Sequence, residues 1–340
     1  MNAGVSTAGV APLRIVSIGG GNGLSTLLRG LKRYARASDG GLEITAIVTV
    51  TDDGGSSGRL RREFDVLPPG DIRNCMVALS EDETLLGRLF QYRFSNGRGL
   101  KGHSFGNLFL TAMTRLTGDF WQAVKLSSEV LAVRGRIYPA TAANVALVAT
   151  LADGTKVEGE TRISHSRSRI EKIELRPRRP KPLGETLRAI AEADLITLGP
   201  GSLFTSVIPN LLVAGVAEAV RKSPALKAYF VNLMSQPGET TNFCASDHVA
   251  ALERHGCKAD VCVVNTRPIA RKALNRYQAR AARPVENDVE NLKRMGVEVI
   301  AADLVRKTNP NEQKIRHDPS VIAAVTLELA QKGRRAKKKT

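Results

Sequence analysis

The chain has few cysteines, few aromatic residues and no long apolar run. Its four cysteines, Cys75, Cys244, Cys257 and Cys262, include no CxxC pair. That spacing argues against a zinc site or a disulfide framework and for buried thiols in a reducing cytosol. Aromatic residues are 4% of the sequence, and none interleaves with a basic run. A stacking platform for single-stranded nucleic acid is therefore disfavoured. No apolar run approaches the ~18–20 residues that span a bilayer. Residues 1–12, MNAGVSTAGVAP, lack both the basic start and the apolar centre of a secretory signal and read as a flexible tail. Acids are also scarce: 33 Asp and Glu face 50 Lys and Arg, for a net charge of +17. Part of the excess lies in Gln331–Thr340, QKGRRAKKKT, and part in Arg162–Lys181. Such stretches read as solvated, mobile surface that serves solubility, an acidic ligand or nonspecific contacts, with no specific nucleic-acid partner implied.

What remains is an ordinary globular composition. The chain has 340 residues, 42% of them hydrophobic, enough for a sizeable core. Short apolar runs at Ile15–Ile18, Ile44–Val50, Leu195–Leu198, Tyr229–Leu233, Val261–Val264 and Val297–Ala301 alternate with helix-like segments. This pattern predicts an α/β fold with a Rossmann-like, doubly wound, mostly parallel sheet. Helices are expected over Leu24–Tyr34, roughly Asp71 to Arg93, Phe105–Leu116, Phe120–Leu131, Ser246–His255 and Pro319–Gln331. Residues 135–177 change character. Asn144–Leu151, an Asp153-Gly154 turn and Lys156–Ile163 read as a β-hairpin, with a further strand at Ile170–Leu175. This is an antiparallel β-hairpin insertion in one domain spanning 13–330, followed by a basic C-terminal tail at 331–340.

In open α/β sheets, ligands bind outside the carboxyl ends of the strands. The first strand ends in Gly19-Gly20-Gly21-Asn22-Gly23, a candidate phosphate loop with free N–H groups at the start of a helix. The NAD fingerprint fails because Leu24 occupies the third glycine, which disfavours a nicotinamide dehydrogenase. A Walker A loop fails because no Gly-Lys-Ser/Thr follows. The second strand runs into Thr51-Asp52-Asp53-Gly54-Gly55-Ser56-Ser57-Gly58-Arg59. Asp52 and Asp53 are candidates for ribose hydroxyls or Mg²⁺, and Ser56, Ser57 and Arg59 for an anion. Asp71 suits a helix N-cap, and Arg73 can orient it or meet an anion. His103, beside Ser104 and Asn107 in KGHSFGN, is a candidate phosphate donor or general acid. No GxSxG elbow supports a serine hydrolase. The second half repeats the device in Gly199-Pro200-Gly201-Ser202, which opens a helix expected over Leu203–Leu212 that Pro209 should kink or end. Asn232, Met234, the Gln236–Asn242 loop, Asn265 and Thr266 add amides and hydroxyls and no obvious nucleophile. Several such loops at one sheet edge suit a large phosphorylated ligand.

Six motifs in order carry a family resemblance: IGGGNGLSTLLRGLK, TVTDDGGSSGRLR, PPGDIRNC, KGHSFGNLFLTA, ITLGPGSLFTSVIPNLLV and YFVNLMSQPGETTNF. From about Arg14 to Leu329 the chain resembles the YvcK-type gluconeogenesis factors of the CofD-like superfamily, which includes 2-phospho-L-lactate transferase. The resemblance implies a cytoplasmic, Rossmann-like homodimer. It implies a role in growth on gluconeogenic carbon, cell shape and peptidoglycan regulation, exercised through a regulatory protein partner. It also implies a UDP-sugar ligand, notably UDP-N-acetylglucosamine. Tyr277, in NRYQAR, and Arg316, in IRHDP, fall where nucleotide-sugar contacts are expected. Tyr277 would stack on a ring and Arg316 would pair with the diphosphate. The transferase relatives imply an alternative: Mg²⁺ on a nucleotide-diphosphate donor, with Asp52, Asp53 and His103 at the reacting centre. The TDDGGSSGRL and GHSFGN forms follow the YvcK branch, away from a deazaflavin acceptor.

Overall fold

The computed structural model describes residues 11–37, 41–81, 85–166, 168–307 and 314–338. The tail expected at 1–12 lies almost wholly outside them. The described residues form ten strands: β1 (Leu13–Gly19), β2 (Leu42–Val48), β3 (Arg136–Pro139), β4 (Ala146–Leu151), β5 (Lys156–Glu158), β6 (Ile170–Arg176), β7 (Leu195–Leu198), β8 (Leu226–Phe230), β9 (Val261–Asn265) and β10 (Glu298–Ala302). Seven form one sheet in the order β10-β9-β8-β7-β1-β2-β3. Every pairing in it is parallel. Helices cover both faces, so the central strands are continuous apolar runs: β7 is LITL and buried throughout, and β9 is VCVVN. The edge strands β3 and β10 are more exposed and carry charge. The four cysteines are free thiols, three of them buried. Among the described residues no single helix is long and apolar enough to cross a membrane.

The topology creates the site. Chain order runs outward from β1 through β2 to β3 on one side, and from β7 to β10 on the other. The direction reverses between β1 and β7, and a crevice opens there at the carboxyl ends of the strands. The loop after β1 and the loop after β7 therefore face each other.

Several elements differ from expectation. The helix after β1 starts at Gly21, inside the glycine run, and extends to Ala37. The stretch expected as a loop after β2 is a helix from Gly55 to Phe64, with Ser56, Ser57 and Gly58 in its buried first turn. The long helical region after Asp71 is split into Gly70–Leu79 and Leu85–Gln91. The antiparallel insertion is a separate three-stranded sheet, β5-β4-β6, whereas β3, inside the expected insertion, belongs to the main sheet. The return strand of the hairpin stops at Glu158. Gly159, at φ +96, turns the chain into a short helix, Glu160–Ser164. Pro209 has no N–H to give the preceding turn, and the chain widens into a π-helix over Leu203–Val207 before a short α-helix, Ile208–Leu211. The basic run expected as a solvated tail continues the last helix, Pro319–Lys337. There Arg334 is paired with Asp194 at 2.7 Å, because this helix packs on β1, β7 and β8.

Candidate functional site

A cleft of about 870 Å³ occupies the switch point. Its floor is the glycine run, Gly20 to Gly23, and the loop Pro200–Ser202. The glycines have distinct roles. Gly21 adopts φ +62, the left-handed conformation that admits glycine most readily, and a Cβ there would meet no heavy atom closer than 3.9 Å. Gly23 serves loop packing: a Cβ would lie 2.2 Å from the Pro200 carbonyl oxygen. The two glycine-rich loops thus close on each other backbone to backbone, and both present their surfaces to the cleft. Gln236 ties the next wall to them. Its Nε2 donates to Ser202 Oγ at 2.6 Å, and its Oε1 accepts from Asn232 Nδ2 at 3.1 Å.

The adjacent aspartates diverge. Asp52 lines the cleft, and its Oδ1 accepts the Gly54 N–H at 2.9 Å. Asp53 turns the other way. Its Oδ1 accepts the backbone N–H and the hydroxyl of Thr161 at 2.9 and 2.7 Å, which anchors the helix Glu160–Ser164. The two therefore do not converge as a metal pair, and the described residues contain no group of three His, Cys, Asp or Glu side chains arranged for a metal. Asp52 alone fits a Mg²⁺ ion that takes its other oxygens from ligand phosphates and water. Asp71 is not an N-cap, since that position of Gly70–Leu79 is Pro69. It sits in the first helical turn, lines the cleft and accepts the Gly21 N–H. Burial, reinforced by Asp52, pushes its carboxyl up to about 7.

Two further carboxylates join them. Glu160, at the start of the insertion's short helix, is pushed to about 9 by burial and then by Asp52, Asp71, Glu239 and Asp53. Glu239 is 4% exposed and is pushed to about 7 by burial, opposed by hydrogen bonds from the Thr205 hydroxyl, the Phe204 N–H, the Ser164 hydroxyl and the Thr205 N–H. Neither was singled out from the sequence. Glu160 lies in a stretch whose pattern predicts a strand, and Glu239 lies in the Gln236–Asn242 loop, whose composition points to amides and hydroxyls. The remaining wall comes from beyond β9 and β10: Tyr277, Arg280, Lys314, Arg316 and His317. The Tyr277 hydroxyl accepts the Ile315 N–H at 3.1 Å, so this ring tethers the 314–317 segment. Burial pushes the His317 imidazole down to about 4, and its Nε2 lies 3.3 Å from the Val231 carbonyl.

The other sequence candidates form a second group behind the cleft. His103, 3% exposed, places Nδ1 3.0 Å from Ser56 Oγ, which also accepts from Asn107 Nδ2 at 3.1 Å. Arg73 donates to Ser104 and Asn74, and Ser104 caps the helix Phe105–Thr117. Burial, then Arg59, lowers the His103 pKa and favours the neutral ring. This network fastens the helix Gly55–Phe64 to Phe105–Thr117, and His103 does not line the cleft. Gly19 and Gly199 lie just beneath the cleft, where the Gly199 N–H joins the end of β1. Gly54 accompanies Asp53 outside it. Arg59 holds the Lys101 carbonyl, and Thr266 donates to Asp303 at 2.9 Å.

A doubly wound sheet with two facing glycine-rich loops at its switch point places the chain among open α/β proteins whose candidate ligand site is the crevice at the carboxyl ends of the strands. Comparison with known proteins narrows the class. The family model for 2-phospho-L-lactate transferase CofD matches residues 15–305. The chain is 50% identical over 318 residues to a gluconeogenesis factor of Bacillus subtilis, covering 93% of this chain and 98% of that protein. It is 47% identical to a gluconeogenesis factor of Halalkalibacterium halodurans, covering 92% and 95%. A crystal structure of a Bacillus halodurans protein superposes with a TM-score of 0.88 at 46% identity, covering 93% of this chain and 99% of that one. The chain belongs to the CofD family, and its curated relatives are gluconeogenesis factors.

Proposed function

We propose that this protein is a cytoplasmic nucleotide-sugar-binding regulator, a gluconeogenesis factor whose ligand has the chemistry of UDP-N-acetylglucosamine. Its output would reach carbon metabolism, cell shape and peptidoglycan supply through a partner protein. One observation carries the reading: a single cleft combines two glycine-rich backbone cradles with Tyr277, Arg280, Lys314 and Arg316. Backbone amides and cations suit a diphosphate, and an aromatic ring beside them suits a base. The cleft histidines are poorly placed as acid–base catalysts. His165 Nδ1 lies 2.6 Å from the Thr161 carbonyl, and His317 is held neutral by burial. Calorimetry with UDP-N-acetylglucosamine tests the reading. Binding that weakens in Arg316→Ala supports it, and no binding of any UDP-sugar refutes it. The reading includes a homodimer, for which Leu85, Leu89, Tyr92 and Leu116 offer exposed apolar surface. Sedimentation would detect it.

A second reading, a transferase acting on a nucleotide-diphosphate donor, draws on Asp52 and on Glu160. Asp52 would hold Mg²⁺, which would neutralise diphosphate charge, and Glu160 would keep a proton near a leaving or attacking oxygen. Release of mononucleotide from a donor in the presence of Mg²⁺, abolished in Asp52→Asn, would favour it.

A further inference from the structure

We infer that the acidic side of the cleft, formed by Asp52, Asp71, Glu160 and Glu239, is the subsite for a hydroxyl-bearing ring attached to the diphosphate, with Glu239 as its specificity-determining acceptor. This rests on the nucleotide-sugar reading above and assigns the half of the cleft that the nucleotide does not use.

The four carboxylates reach one place from separate segments. Asp52 follows β2, Asp71 opens the helix Gly70–Leu79, Glu160 comes from the insertion, and Glu239 comes from the loop after β8. None of the four forms an ion pair among the described residues. The cations of the cleft, Arg280, Lys314 and Arg316, stand on the β9–β10 side, beyond the switch point from β2. The cleft is therefore bipolar. Its basic side suits phosphate, and its acidic side accepts hydrogen bonds from a neutral group.

Glu239 supplies the independent observation. Its Oε1 accepts from the Thr205 hydroxyl at 3.1 Å and the Ser164 hydroxyl at 3.3 Å, which fixes the side chain. The Phe204 and Thr205 backbone N–H groups help to hold the carboxylate, yet its buried Oε2 has no hydrogen-bond partner of normal geometry among the described residues and belongs to a residue lining the cleft. Buried polar atoms are almost always paired, so a donor from the ligand is the expected partner. Burial pushes the Asp71, Glu160 and Glu239 carboxyls up, which lowers the charge a neutral ring must meet. A sugar ring offers several hydroxyl donors and no negative charge. A sugar that carries its own carboxylate would face like charge.

Calorimetry with UDP, UDP-glucose and UDP-glucuronate tests this on the full chain. The wild type should bind UDP-glucose about tenfold tighter than UDP, the size of one hydrogen bond to a charged group. It should bind UDP-glucuronate at least about tenfold more weakly than UDP-glucose. Glu239→Ala should bring UDP-glucose within about twofold of UDP and leave UDP affinity unchanged, which also reports that the variant is folded. Should that variant fail to fold, Glu239→Gln keeps the shape, removes the charge and should relax the bias against UDP-glucuronate. Equal affinity for UDP and UDP-glucose in the wild type would overturn the subsite alone. So would equal weakening of both by Glu239→Ala, or an unchanged bias in Glu239→Gln. Failure of all three nucleotides to bind would overturn the nucleotide-sugar reading and the subsite together.

Discussion

Glu160 permits a stability test that needs no ligand. Its carboxyl titrates at about 9 in the folded protein against 4.5 for an unperturbed glutamate. Between those values the native state holds a proton that the unfolded chain has lost. Stability therefore falls as pH rises through this window, since the unfolded state is the one that gains by ionising. The contribution is complete below pH 4.5 and lost above about pH 9. At pH 8 the gap of about 3.5 units corresponds to about 5 kcal/mol as a ceiling. Partial exposure to the cleft admits water, which screens roughly half of that and leaves about 2–3 kcal/mol. Glu160→Gln keeps the shape of the protonated carboxyl and never ionises, so it should recover this amount at pH 8 and almost nothing at pH 5. In a chain of 340 residues that amounts to a Tm increase of about 3–5 °C at pH 8. Thermal unfolding of both proteins at pH 5 and pH 8 measures it. A shift of the same size at both pH values, or a lower Tm for the variant at pH 8, would refute the burial of Glu160 among like charges.

Three other variants probe the frame of the cleft. Gly23→Ala drives a Cβ into the Pro200 backbone and should cost about 1–3 kcal/mol in denaturant unfolding while weakening nucleotide binding; unchanged values for both would show that the two loops do not pack as described. Asp53→Ala removes both hydrogen bonds to Thr161 and should cost about 1–3 kcal/mol, with no change in any Mg²⁺ dependence of binding. A lost Mg²⁺ response without lost stability would restore Asp53 as a ligand. Tyr277→Phe keeps the ring but frees the Ile315 amide. Hydrogen exchange at that amide should quicken and nucleotide affinity should fall severalfold, whereas a ring that acts by stacking alone predicts neither.

The parallel sheet was legible because its strands are buried on both faces and read as short runs rich in β-branched residues, such as Ile44–Val48. The glycine loops were legible for a similar reason: GGGNG and GPGS each stand where a strand must turn into a helix. What escaped was direction. Asp52 and Asp53 are neighbours in sequence, yet one faces the cleft and the other grips Thr161, and only tertiary packing decides which. His103 and Arg73 have the chemistry of a site and serve as buried fasteners, because Ser56 meets His103, and Ser104 and Asn74 accept from Arg73. Glu160 and Glu239 were illegible for the opposite reason. Each is an ordinary acid in a surface-like sequence, and becomes unusual only when the insertion meets the loop after β8.

That meeting explains how a common sheet acquires an uncommon pocket. In a plain doubly wound fold the crevice above β1 opens to solvent. Here the β4–β6 sheet is clamped at its edge by three contacts: Asp53 with Thr161, Ser166 Oγ with the Gly238 carbonyl at 3.1 Å, and Ser164 with Glu239. Gly238 allows the close pass, for a Cβ there would lie 2.7 Å from the Ser164 carbonyl oxygen. Ser164 fixes Glu239, and the anchored helix carries Glu160. Two of the four acids of the proposed subsite, Glu160 and Glu239, are thus set by the same contacts that dock the insertion. Loosening the insertion must disperse the acidic subsite before it disturbs the glycine loops, which are held independently by the packing of Gly23 on Pro200. On the proposed reading, recognition of the diphosphate would therefore be separable from recognition of what it carries. A protein that has lost the second should still bind the bare nucleotide.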